Sequence, residues 1–272
     1  MTRHWWTTPG SFSVALALCA ASLVALVPRA QGDDRPFVFV QDANGPVDNE
    51  IEAVAALDVG ASASGAVRFV DPTVARRGVV QQLGAQVGVT PWLAIGAFGL
   101  VGLGNTADNP VEATGGGYLS FTILRPGAEL HDGGSLGLAL WAVREFEGVL
   151  ALSGFINGSW VARRFALAGN LQLERRFVGS ADPLDVIARI AANYGVFSRD
   201  ENALRLGVEY VGQDLEDAIE GEEAEGGALH LFALSATSTF DERRVSLGIA
   251  PGVVVGSGAV GFGGRFTASY RF

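Results

Sequence analysis

The chain has 272 residues, of which 49% are apolar and 18% charged, with 37 glycines and a formal net charge of −10. Its apolar content excludes a disordered chain, and its acidic balance argues against a generic nucleic-acid binder, which carries an excess of basic charge. The single cysteine, Cys19, lies in the N-terminal apolar stretch, so the remainder has neither a disulfide framework nor a cysteine-ligated metal site.

Arg3 and His4 precede an apolar run from Phe12 to Val27, and Pro28-Arg29-Ala30-Gln31-Gly32 follows. A short basic region, an apolar stretch and a small residue before a polar boundary describe a secretory signal peptide over 1–30, removed near Ala30. Read as an uncleaved anchor, the run is short for ~30 Å of hydrocarbon. A lipidated Cys19 would need a small residue before it, and Leu18 stands there. Residues 31–50 follow as a tail that contains Phe37-Val38-Phe39-Val40.

From residue 51 the chain alternates. Ile51, Ala53, Ala55, Leu57 and Val59 interleave with Glu52, Val54, Ala56 and Asp58. Phe165, Leu167, Gly169, Leu171 and Leu173 interleave with Asn170, Gln172 and Glu174, and the same holds for Leu184–Tyr194, Leu204–Val211 and Arg244–Ile249. Successive side chains of a strand point to opposite faces. Ten-residue segments of this kind separated by turn residues are the signature of a transmembrane barrel.

The segments fall near 51–60, 79–90, 92–103, 116–125, 134–146, 148–160, 164–177, 184–196, 202–213, 227–239, 243–255 and 260–272. The parity is indistinct at 115–125 and 226–240, where a bulge would shift it. The expectation is an all-β fold: an antiparallel up-and-down β-barrel of about twelve strands over 51–272, with ten or fourteen as alternatives. An even count closes the sheet with both chain ends on the periplasmic side. Short turns at Thr90-Pro91, Ala162-Arg163, Ser198–Glu201 and Asp241-Glu242 then fall on that side, and longer loops at 61–78, 104–115 and 214–226 on the other, with short connections near Glu147 and Ser257 as exceptions. The tail 31–50 becomes a periplasmic segment whose Phe37–Val40 form a short extra strand or enter the lumen.

At the C-terminus, Val260, Phe262, Phe266, Ala268, Tyr270 and Phe272 share one parity, and Arg265 and Arg271 lie on the other. This strand resembles the last strand of Gram-negative outer-membrane barrels, where a terminal Phe with alternating aromatics is the assembly signal. The resemblance implies the cell outer membrane, with its lipid and lipopolysaccharide as surroundings and the barrel-assembly machinery as a partner through Phe272.

The face opposite the lipid carries Glu52, Asp58, Gln82, Gln86, Asn157, Asn170, Gln172, Glu174, Asp185, Arg189, Asn193, Arg205, Glu209, Arg244, Arg265 and Arg271, the expected lumen lining. Arginines facing carboxylates across a narrow pore would select solutes by width and charge; pairing among them would instead close it. Asp214, Glu216, Asp217, Glu220, Glu222, Glu223 and Glu225 cluster in one loop, but without the fixed spacing of a calcium loop they read as a solvated external loop. Gly115-Gly116-Gly117 and Gly261-Phe262-Gly263-Gly264 lack the following helix and Lys of a phosphate loop. His131 falls in a periplasmic turn, and His230 and Ser235 have opposite parity, so no nucleophile–base pair forms. No enzyme, metal or cofactor is expected.

The hairpin Leu83–Gly96, with Thr90-Pro91 at its turn, is similar to an element of transporter-like barrels of the MetA-pathway-of-phenol-degradation type. That resemblance implies a channel-like barrel for small, apolar molecules. A polar lumen for passive passage is the leading expectation, and a non-conducting structural or surface-interaction barrel the alternative.

Overall fold

The computed structural model describes residues 37–41, 46, 49–62, 77–104, 111–125, 133–144, 148–162, 164–177, 184–199, 202–213, 215, 228–240, 244–256 and 259–272. Twelve strands follow one another: β1 (Ile51–Ser62), β2 (Arg77–Thr90), β3 (Leu93–Gly104), β4 (Val111–Leu124), β5 (Gly133–Arg144), β6 (Leu150–Ala162), β7 (Phe165–Arg176), β8 (Asp185–Arg199), β9 (Asn202–Gln213), β10 (Leu229–Phe240), β11 (Val245–Gly256) and β12 (Ala259–Arg271). Each pairs antiparallel with its chain neighbours, and β12 pairs with β1 from Glu52↔Arg271 to Ser62↔Gly261. The sheet is therefore a closed barrel, with no edge strand left to expose unpaired backbone groups.

β1 begins and β12 ends at one rim, called here the near rim; the opposite one is the far rim. At the near rim the Thr90 hydroxyl accepts hydrogen bonds from the N–H groups of Trp92 and Leu93 (3.3 and 3.0 Å), which fixes the short β2–β3 turn. Asn49 takes a left-handed conformation (φ 64°) just before β1, one that Asn tolerates better than most residues.

The two segments of indistinct parity resolve differently. β4 starts at Val111 rather than 116, because Val111 pairs with Leu103 and the ladder with β3 runs unbroken from there. The glycines at 115–117 concealed this start, since they show no preference for either face. A register shift between Thr122 and Leu124 then leaves Ile123 and Leu124 both exposed. In β10 no shift occurs: Leu231, Ala233, Ser235, Thr237 and Thr239 are buried, while Phe232 and Leu234 are exposed.

The outer surface is apolar around the whole circumference. Leu140, Ile156, Ile190, Val208, Leu234 and Ile249 are all exposed at its mid-height. Trp92, Trp160, Phe165, Phe197 and Phe240 are exposed toward the near rim, and Phe177, Phe232 and Phe262 toward the far rim. Two aromatic rows bounding an aliphatic band are what a barrel presents to a bilayer. A 12-residue strand tilted ~40° rises roughly 30 Å, enough to cross it. Exposure on this scale would be unfavourable in water. The signal-peptide reading of 1–30, His131 and the acidic residues of 216–225 lie outside the described residues.

Candidate functional site

The closed wall turns one parity of every strand inward, and this places the polar residues singled out from sequence. Glu52, Asp58, Gln86, Asn157, Asn170, Gln172, Glu174, Asp185, Arg189, Asn193, Glu209, Arg244 and Arg271 are buried in the barrel. Gln82, Arg205 and Arg265 share their parity and are half-buried.

The charges do not face one another across an open pore. Asp58 and Arg265 are direct partners on β1 and β12, joined by two hydrogen bonds of 2.6 and 2.8 Å. Arg271 stands 3.5 Å from Glu52 on the same pair of strands, and the Gln86 amide also donates to Glu52. On β7 and β8, Arg176 lies 3.4 Å from Glu174 and 3.2 Å from Asp185, Ser153 and Gln172 donate to Glu174, and Arg189 donates to Gln172. Each of these ion pairs lies within one strand or between adjacent strands, so its field stays local.

Part of the lumen is not polar at all, which corrects the expectation of a polar interior throughout. Near the far rim Val80, Leu100, Val143, Ile187, Val211, Leu231 and Val254 turn inward from seven strands and are all buried in one apolar cluster. Beneath it, Phe98, Tyr118, Trp141 and Phe155 form an aromatic wall across β3–β6. Tyr118 and Trp141 stack at 4.8 Å between ring centroids, with Phe98 and Phe155 at 5.1 and 5.3 Å from Trp141. The Arg189 guanidinium lies over Phe155 at 5.7 Å. Tyr118 has room because Gly96 lies under its ring, where a Cβ would come within 2.2 Å of it. Periodicity missed these residues because β3 and β5 are apolar on both faces, leaving no polar contrast to mark the inward one.

A segment from before the barrel occupies the lumen. Phe37, Val38, Phe39 and Val40 are all at most 7% exposed. The chain bends through 38–40, and the N–H groups of Val38, Phe39 and Val40 donate to the single Glu209 carboxylate at 2.9, 2.6 and 3.3 Å. Asn170 grips the backbone of Gln41 twice, accepting from its N–H (2.7 Å) and donating to its carbonyl (2.8 Å). Phe37 and Val40 pack on Ala166, Ala168 and Ala191, where larger side chains would leave no space. Arg265 covers the Phe39 ring at 5.5 Å. A Cβ on Gly248 would come within 2.9 Å of the Val38 side chain, so that glycine admits the segment on the β11 side. Of the sequence alternatives for Phe37–Val40, the strand is not formed and the segment lies inside the barrel.

A cavity of about 180 Å³ remains beside this strap. Its lining includes the four rings of the aromatic wall on one side and Phe37–Gln41 on the other, with Gln82, Gln86 and Arg265. The candidate catalytic residues stay apart: the Ser235 hydroxyl is buried beside Asn193 (3.4 Å), while His230 Nδ1 pairs with the Tyr210 hydroxyl (2.9 Å).

No protein-family model and no curated protein matches the chain. Two solved structures share its architecture. A COG4313 outer membrane channel from Pseudomonas putida F1 is 10% identical with a TM-score of 0.56, over 89% of this chain and 100% of that one. The KdgM porin in complex with disordered oligogalacturonate is 9% identical with a TM-score of 0.51, over 82% of this chain and 99% of that one. At such identities the likeness establishes the fold, a barrel of the kind that outer-membrane channels use.

Proposed function

We propose that the chain is an outer-membrane barrel that passes small, largely apolar molecules passively through its lumen. The lumen lining carries this reading. A cluster of aliphatic side chains toward the far rim lies above an aromatic wall and a cavity of about 180 Å³, all inside a barrel with a lipid-facing exterior. Apolar pockets with a few placed polar groups are the usual form of small-molecule sites. The cluster favours solutes that shed water readily and hinders the passage of ions. With the start of β1 and the end of β12 at the near rim, that rim is periplasmic and the apolar cluster lies toward the outside of the cell. The likeness of the Leu83–Gly96 hairpin to barrels of the MetA-pathway type fits a solute of this class, and the fold shared with outer-membrane channels fits passive passage.

One observation favours a second reading, a barrel that conducts nothing: Phe37–Gln41 fill part of the lumen, and several of its charges are paired within the wall. Purified protein in planar bilayers separates the two. The channel reading expects small conductance steps that grow when Ile187 and Leu231 of the apolar cluster are both replaced by Ser. Folded protein that inserts and gives no steps even in that double variant overturns it.

A further inference from the structure

The hydrogen bonds described for Phe37–Gln41 are made to its backbone. Glu209 takes three successive N–H groups, and Asn170 takes one N–H and one carbonyl, in the manner of a strand partner. The side chains rest on an alanine floor and against an apolar cluster, contacts that ask for apolar bulk rather than one residue type. Three N–H groups turned onto one anion form a backbone nest, normally an anion-binding device of the ligand's own chain. Here the anion belongs to the barrel wall and the nest to the segment.

We propose that this wall is a binding seat for short apolar peptides that turn three successive backbone N–H groups onto Glu209, and that residues 37–41 are its resident occupant. The proposal rests on the channel reading only for how such a peptide reaches the lumen. The seat spans β7, β8 and β9, through Asn170, Ala191 and Glu209, and leaves the cavity and the aromatic wall of β3–β6 free on the other side. Because the strap belongs to the same chain, it competes at an effective concentration far above that of a free ligand. An incoming peptide therefore binds weakly until the strap is displaced.

The test uses the whole barrel in detergent and the peptide acetyl-Phe-Val-Phe-Val-Gln-amide with a fluorescent label, its binding read by anisotropy. Phe39→Pro removes the N–H that makes the shortest bond to Glu209 and leaves every wall residue in place. Val38→Pro, which removes the N–H bonded to Glu209 at 2.9 Å, weakens the strap at a second position. Folding of each variant is checked by its gel mobility with and without heating. Both variants should bind the peptide at least tenfold more tightly than the parent protein. Glu209→Ala in the Phe39→Pro background, or N-methylation of the peptide at the residues matching Val38 and Phe39, should remove that gain.

Equal binding of the N-methylated peptide would mean apolar partition alone and would overturn the proposal. So would displacement by agmatine at comparable concentration, which would mark the seat as a site for small cations, or no binding by either folded variant. Binding in detergent needs no conductance. A barrel with this binding pattern and no conductance steps loses the channel and keeps the seat; steps without binding do the reverse.

Discussion

Asp58 and Arg265 face each other across the seam where β1 meets β12, their side chains joined by two parallel hydrogen bonds of 2.6 and 2.8 Å. Their strands are the first and the last, so this pair links the ends of the sheet at its closing ladder. Both side chains are largely buried (4% and 14% exposed). Removing one partner of such a pair leaves an uncompensated charge, at a cost of roughly 3–5 kcal/mol, whereas replacing both is often close to neutral. Asp58→Leu should therefore lower the urea midpoint of the refolded barrel sharply, and Asp58→Leu with Arg265→Met should recover most of the loss. A double variant no more stable than the single one would show that the pair is not what the seam depends on.

Gly96 and Tyr118 give a second, steric prediction. The Tyr118 ring lies where a side chain on Gly96 would stand, and its hydroxyl donates to Gln86 at 2.9 Å. Gly96→Val should swing the ring off the aromatic wall and cost about 1–3 kcal/mol, as overpacking does. Combining it with Tyr118→Ala should remove the clash and restore part of the loss, measured by the same urea titration.

The architecture was legible where a strand carries charge on one face and apolar residues on the other. β12 shows this best, with Arg265 and Arg271 inward and Phe262 and Phe266 outward. β3 and β5 did not announce their inward faces. Phe98, Leu100, Trp141 and Val143 are as apolar as the outward Ile95, Val101, Leu138 and Leu140, because the lumen they line is itself apolar. Hydrophobicity alone marks lipid and an apolar lumen alike. The strap was half-legible. Four apolar residues in a polar tail pointed to burial, but their partner Glu209 lies about 170 residues away, a separation over which periodicity carries no information.

The aliphatic cluster toward the far rim predicts how ions behave. A lumen face built of Ile187, Leu231 and Val254 sheds water, and a dewetted passage resists ions. Ile187→Ser with Leu231→Ser should hydrate it and raise the small-ion conductance several-fold in planar bilayers. An unchanged conductance in the folded double variant would place the limiting constriction elsewhere, with the strap as the next element to alter.

The alanine floor predicts how the strap responds to crowding from below. Phe37 and Val40 rest on Ala166, Ala168 and Ala191, all at most 6% exposed. A larger side chain there competes for the same volume, and the strap has only its hydrogen bonds to Glu209 and Asn170 and its apolar contacts with which to hold its place. Phe39→Cys supplies a reporter: Phe39 is 3% exposed, so a cysteine there should react slowly with a water-soluble maleimide. Adding Ala168→Leu should speed that labelling at least tenfold without changing barrel stability by more than about 1–3 kcal/mol. Labelling that stays slow while the barrel loses stability would mean that the strap is as fixed as the wall, and that the side chain at 168 strains β7 instead.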